Sequence, residues 1–200
     1  MGFITRSEMI DRLEGAFRSL ERMRRFRGHF YNWYELTDLR VLEPAYVSTV
    51  DSGNLAGCML ALKQACLHVS DEPIVDTRVH EALQAALALA EDAAKEPLSA
   101  GRVGDPVAWR AVTDATRWAR TLRATLAREA TSDNPVALLE RVVRETRDTA
   151  DALRRAGASR ETLSKAVAWL DWATALAERH REELAAVGAK PASMKAPIRT

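Results

Sequence analysis

The sequence predicts an all-α chain carrying one short irregular β-hairpin near its N-terminus. Three observations predict it. Apolar residues recur every three or four positions along most of the chain, the spacing that places them on one face of a helix. Helix starts are written out as a capping residue followed by proline, at Asp105-Pro106 and Asn134-Pro135. The aromatic stretch after Gly28 departs from this periodicity.

In chain order, a first helix is expected from Ser7 to Arg25, with Met9, Ile10, Leu13, Phe17, Leu20 and Met23 on one face. Gly28 is expected to end it. His29–Glu35 and Arg40–Val47 read as the arms of a hairpin around Leu36-Thr37-Asp38-Leu39, with Pro44 confining the second arm to an edge. Asp51 or Ser52 is expected to cap a second helix, Gly53–Val69, with Leu55, Met59, Leu62, Cys66 and Val69 inward. Ser70–Val75 reads as a loop around Pro73, and Asp76 as the cap of a third helix, Thr77–Glu96, facing the core with Val79, Leu83, Leu87 and Ala90. Pro97–Gly104 is a connector.

The fourth helix, Pro106–Ala130, is expected to turn Trp109, Val112, Thr116, Leu122 and Leu126 inward. The fifth, Pro135–Ala156, offers Leu138, Leu139, Val142, Val143, Thr146, Ala150 and Leu153, and stops at Gly157. Ser159 is the expected cap of a sixth, running to Val187 with Leu163, Val167, Leu170, Leu176 and Leu184 inward. Residues 1–187 thus read as a single helical domain, and 188–200, with Pro191 and Pro197 and no periodicity, as a disordered tail.

Two hundred residues, 47% of them hydrophobic, suffice for one core. The net charge of +1 gives no sign of a nucleic-acid or membrane-surface partner. Its one dense basic run, Arg22, Arg24, Arg25 and Arg27, reads as the solvated end of the first helix. The N-terminus lacks the apolar core of a signal peptide, and no apolar run is long enough to span a bilayer, so a cytoplasmic location is expected. Cys58 and Cys66 read as buried free thiols. No phosphate loop, nucleophile elbow or zinc spacing occurs, and the four histidines do not cluster, so neither cofactor nor metal is expected.

The stretch after Gly28 concentrates His29, Phe30, Tyr31, Trp33, Tyr34 and Tyr46, then runs into Ser48-Thr49-Val50-Asp51-Ser52-Gly53-Asn54. Aromatic faces beside hydroxyl, amide and carboxylate groups suit a polyhydroxylated ligand, because rings stack on apolar C–H faces while short polar side chains fix orientation.

His29-Phe30-Tyr31-Asn32-Trp33-Tyr34 and Tyr46-Val47-Ser48-Thr49-Val50-Asp51-Ser52-Gly53-Asn54-Leu55-Ala56-Gly57, in that order, resemble a signature of the middle region of cyclic β-1,2-glucan synthases. The resemblance covers roughly residues 20–67. Two positions depart from it: Glu35-Leu36-Thr37 replaces the family's Asp-Thr, and Cys58 its histidine. It implies a glucoamylase-like (α/α) barrel, and hence that the helical hairpins here form part of such a barrel within a larger, membrane-associated enzyme. In that enzyme the region is implied in transglycosylation and cyclisation of the glucan. The implied ligand is a β-glucan oligosaccharide, and the implied protein partners are the remaining synthase domains or a second copy of the chain.

The expected substrate-binding residues are Tyr31, Asn32, Trp33, Tyr34, Ser48, Asp51, Ser52 and Asn54. Two readings stand for several of them. Asp51 is either a helix cap or a ligand contact. The aromatics are either a sugar platform or packing, with period-two alternation placing Tyr31 and Trp33 on one face, Asn32 and Tyr34 on the other. No second carboxylate is evident for glycoside chemistry, so the catalytic residues are unknown and the chain alone is expected to be inactive. The alternative function is a non-catalytic helical structural or protein-interaction module, with Trp169 and Trp172 as core or as an intersubunit patch.

Overall fold

A computed structural model describes residues 2–69, 77–101, 103–129, 134–156 and 160–188. Its elements are α1 (Arg6–Arg22), β1 (Arg25–Phe26), β2 (His29–Phe30), α2 (Thr49–Val69), α3 (Thr77–Ser99), α4 (Pro106–Arg128), α5 (Pro135–Arg155) and α6 (Arg160–Gly188). The fold is all-α, with one two-stranded antiparallel sheet among the described residues. The chain gathers into two compact units, Arg6–Pro73 and Met1–Thr5 with Ile74–Thr200.

The larger unit is a four-helix assembly. Helix α3 packs against α4 and α6, α5 packs against α6, and α4 touches α5 more lightly. The reason lies in sequence spacing: Leu83 and Leu87, Val112, Leu122 and Leu126, Leu139 and Val142, and Leu170 and Leu176 recur at helical intervals and fill one shared core. Alanines 82, 86 and 90 of α3 and 166, 173 and 177 of α6 are buried in the same cluster, and such small side chains permit close helix approach.

Both cap-plus-proline starts form as expected. Asp105 accepts a hydrogen bond from the amide of Ala108 at 3.1 Å, and Asn134 from that of Ala137 at 3.1 Å. Two polar features lie inside the assembly. The Thr146 and Thr174 hydroxyls meet at 2.7 Å; each carries one proton, so one donates to the other while its partner donates to a carbonyl of its own helix. Glu91 of α3, only 4% exposed, accepts from Arg120 (2.9 Å) and Arg123 (3.0 Å) of α4 and pairs with Lys95. Burial pushes its carboxyl up, but the bonds from Lys95 and Arg120 outweigh that and hold it below the ordinary value. The segment before α1 lies in this unit: the His180 ring Nε2 donates to the Gly2 carbonyl (3.1 Å), and Phe3 meets Trp172, ring centroids 5.9 Å apart. Trp169 and Trp172 touch edge to face and are partly buried against the core.

Several local expectations are corrected. Trp109 is 54% exposed rather than inward. Helix α3 continues through Pro97 to Ser99, because the buried proline ring packs into the core and offsets the lost backbone bond. Asp76, the Ser70–Val75 loop, Gly157, Ser159 and the tail 189–200 lie outside the described residues.

The smaller unit departs further. Helix α1 stops at Arg22, three residues early, and no residue of α1 or α2 is fully buried. Leu55, Met59, Leu62 and Val69 do share the half-buried face of α2, but Cys66 is exposed, as is Cys58. The expected thiol burial fails because Cys58 and Cys66 both lie off the half-buried face of α2. After α1 the chain forms β1 and β2, pairing Arg25 with Phe30 and Phe26 with His29. Gly28 does not stop the helix. It sits with Arg27 at the turn, with φ of 89° and 50°, the conformation of a two-residue hairpin connection that matches strand twist. The expected hairpin also forms, in short pieces: Tyr34 bridges Val41, the Glu35 amide donates to Arg40, and the Leu42 amide donates to Trp33.

Candidate functional site

The site is built where the aromatic hairpin meets the start of α2, within the smaller unit. Helix α2 begins at Thr49, earlier than expected, because Ser48 is its cap: the Ser48 hydroxyl accepts from the Asp51 amide at 3.1 Å. Asp51 therefore sits inside the first turn, where a carboxylate is favoured by the helix dipole, and is not the cap. The legible signal was Ser48-Thr49-Val50-Asp51, a serine followed three residues later by an acid.

Asn32 joins the two motifs. Its Oδ1 accepts from the Ser48 amide (3.0 Å), its Nδ2 donates to Asp51 Oδ2 (3.2 Å), and its own amide donates to the Tyr46 carbonyl (2.9 Å). The first bond satisfies the donor that a helix start would otherwise leave open. One Asn32 N–H and one oxygen lone pair remain free for other partners.

The aromatics do not alternate by two. The backbone bends at Asn32, so Tyr31 and Tyr34 come together edge to face, centroids 6.4 Å apart, and Trp33 goes with Tyr46 at 6.1 Å. The Tyr34 hydroxyl accepts from the Tyr31 amide (2.8 Å) and donates to the Arg24 carbonyl (2.6 Å), a bracing role. Trp33 and Tyr46 are 52% and 53% exposed.

Tyr31, Asn32, Asp51 and Ser52 line a cavity of about 260 Å³ together with Phe30 and Leu55. Ser48 supports it from beneath through the cap, while Trp33 and Tyr34 are not among its lining residues. Asn54 is exposed on α2 and does not line it. Phe30 and Leu55 had no place in the expected site; only the pairing of hairpin with helix brings them there. The Ser52 hydroxyl already donates to the Ser48 carbonyl (2.8 Å), so it faces a ligand chiefly as an acceptor. Asp51, an acceptor when ionised, is the sole carboxylate lining the cavity. The cavity thus offers three acceptors (Asp51, Ser52 and the spare Asn32 oxygen lone pair), one spare amide donor and two aromatic rings, a set suited to a ligand rich in hydroxyl donors.

Among the described residues no cluster of three or more His, Cys, Asp or Glu side chains could hold a metal ion, and no helix is long and apolar enough to cross a membrane. No family model matches the chain, and no solved structure matches it. One curated relative does: the cyclic β-(1,2)-glucan synthase NdvB of Rhizobium meliloti (strain 1021), 44% identical over 72 residues. The match takes in 36% of this chain and spans only 2% of the relative's length. Over that part of its sequence, the chain is related to a cyclic β-glucan synthase.

Proposed function

We propose that the unit Arg6–Pro73 is a β-glucan-binding module derived from the glucoamylase-like region of a cyclic β-1,2-glucan synthase. The observation that carries the reading is the convergence of Tyr31 and Asn32 from one motif with Asp51 and Ser52 from the other on a single cavity. At about 260 Å³ it lies just below the roughly 300–1,000 Å³ of drug-sized ligand pockets, the scale of one sugar ring rather than a chain. Neighbouring sugars have the exposed Trp33–Tyr46 pair to stack on, next to Asn32 through its bond to the Tyr46 carbonyl. The hairpins α3–α4 and α5–α6 are the kind of unit from which (α/α) barrels are assembled, and in an intact synthase this segment would serve transglycosylation and ring closure.

The chain alone binds without turnover on this reading, because glycoside chemistry by acid and base takes two carboxylates and the cavity presents Asp51 alone. Titration with linear β-1,2-gluco-oligosaccharides, followed by tryptophan fluorescence and NMR, tests the proposal. Shifts confined to Tyr31, Trp33 and Ser48–Leu55, lost in Tyr31→Ala, are expected. Absence of any perturbation at millimolar ligand refutes binding, and release of product in a manner abolished by Asp51→Ala refutes the lack of turnover.

A second reading, an interaction module, is favoured by a different observation. The light α4–α5 seam forms a groove of about 470 Å³ lined by Val107, Ala111, Ala115, Trp118 and Ala152, with Arg110, Asp114 and Asp148 also on its walls. Cations and acids within one patch suit self-pairing about a two-fold axis. Sedimentation at several concentrations decides: a concentration-independent monomer removes this reading and leaves the first untouched.

A further inference from the structure

The basic run only begins at a helix end, where Arg22 closes the last turn of α1. Helix α1 stops at Arg22, and Arg24, Arg25 and Arg27 enter the β1–β2 hairpin, all exposed. Each of these three guanidiniums lies over an aromatic ring: Arg24 over Tyr31 at 5.9 Å, Arg25 over Phe30 at 4.9 Å, Arg27 over Phe26 at 5.6 Å. The sequence has no carboxylate between Glu21 and Glu35, and none of Arg22, Arg24, Arg25 and Arg27 forms an ion pair among the described residues. The chain as a whole is nearly neutral, so this is a local concentration of uncompensated positive charge. At the turn, Phe26 is 52% exposed between Arg25 and Arg27.

We propose that the Arg25–Phe30 hairpin is a contact finger for an anionic phospholipid surface. Four uncompensated guanidiniums complement a layer of phosphodiesters and carboxylates, and the planar fork of arginine binds phosphate oxygens in pairs. Ring stacking holds the guanidiniums in place before contact, so less side-chain freedom is lost on binding. Phe26 supplies an apolar body at headgroup depth, as interfacial aromatics do. A single-stranded nucleic acid fits less well, since its bases need free aromatic faces to stack on, and here a guanidinium already covers one face of Phe26, Phe30 and Tyr31.

Flotation of the full chain with phosphatidylcholine vesicles, with and without phosphatidylserine, tests this. Binding is expected only to the anionic vesicles and is expected to weaken with added salt. Each arginine near such a surface is worth about fivefold in partitioning, so Arg25→Gln with Arg27→Asn should reduce binding roughly 25-fold. Asparagine is chosen at position 27 because it tolerates the positive φ there. Arg24, which lies over Tyr31 of the cavity, is left intact. An unchanged far-UV spectrum shows that the double variant folds, and Phe26→Ala, which leaves every charge in place, should independently weaken binding about tenfold. Equal binding to neutral and anionic vesicles overturns the proposal, as does full binding by the double variant or by Phe26→Ala. Tighter binding to a single-stranded RNA probe than to anionic vesicles at the same salt overturns it in favour of nucleic acid.

Discussion

Asn32→Ala should uncouple the two halves of the candidate site. The substitution removes the bond from the Ser48 amide (3.0 Å) and the bond to Asp51 Oδ2 (3.2 Å), while the backbone bond to Tyr46 stays. A neutral hydrogen bond contributes about 1 kcal/mol and one to a charged group about 1.5–3 kcal/mol. Because Asp51 is exposed, the lower values apply, and local opening should become easier by about 2 kcal/mol. Hydrogen exchange measured by NMR reads this directly at the Ser48 amide, whose protection should fall roughly 30-fold. Asn32→Asp goes further: it keeps the shape but turns the donor into a second carboxylate at about the same 3.2 Å from Asp51. Two unit charges at that separation repel by about 1.3 kcal/mol even at the dielectric of water. Asp should therefore be worse than Ala at the isosteric position, and both should lose oligosaccharide binding. Ser48 protection unchanged in Asn32→Ala, or Asp better tolerated than Ala, would refute the view of Asn32 as the tie between hairpin and helix.

Glu91 should make the helical assembly acid-sensitive. Its folded-state pKa is lowered, so the unfolded chain takes up the proton first as pH falls; the stabilisation is complete above the ordinary glutamate value of about 4.3 and is lost as pH drops through the folded one. Urea unfolding should show Glu91→Gln about 1–2 kcal/mol less stable than the parent near neutrality, discounted for the exposure of Lys95 and Arg120, with the gap closing in acid; a gap independent of pH would contradict this. At the buried hydroxyl pair, Thr146→Val and Thr174→Val should each cost about 1–2 kcal/mol, and the double variant less than their sum, a coupling that a double-mutant cycle measures. Gly2→Ala would place a Cβ 1.8 Å from the Arg78 carbonyl oxygen, so the segment must shift; a loss of about 1–3 kcal/mol on thermal unfolding, with a change in tryptophan fluorescence as Phe3 leaves Trp172, is expected.

Most of the helices were legible residue by residue. Asp105-Pro106 and Asn134-Pro135 state a helix start in local chemistry alone, and Leu138, Val142 and Leu153, or Leu163, Leu170 and Leu176, reach the core because helical spacing puts them on one face. The two aromatic and polar motifs were legible as a candidate site for the same reason: their composition is local. Tertiary structure decided what local rules leave open. Asn32, sixteen residues before Ser48, takes the Ser48 amide and reaches Asp51, a tie between the two motifs that no local rule names. A bend at Asn32 cancelled the strand alternation that would have paired Tyr31 with Trp33. The exposure of Cys58, Cys66 and Trp109 depended on how much of each helix found a neighbour, and periodicity names a face without saying what will cover it. The arginines that look like a helix end in sequence became a hairpin stacked on aromatic rings, because Arg27-Gly28 takes positive φ and turns the chain back on itself. Residue type and spacing thus determined the helices and the chemistry on offer. Which of those groups meet, and which are left facing solvent, was set by contacts between residues distant in sequence, and those follow from packing the whole chain.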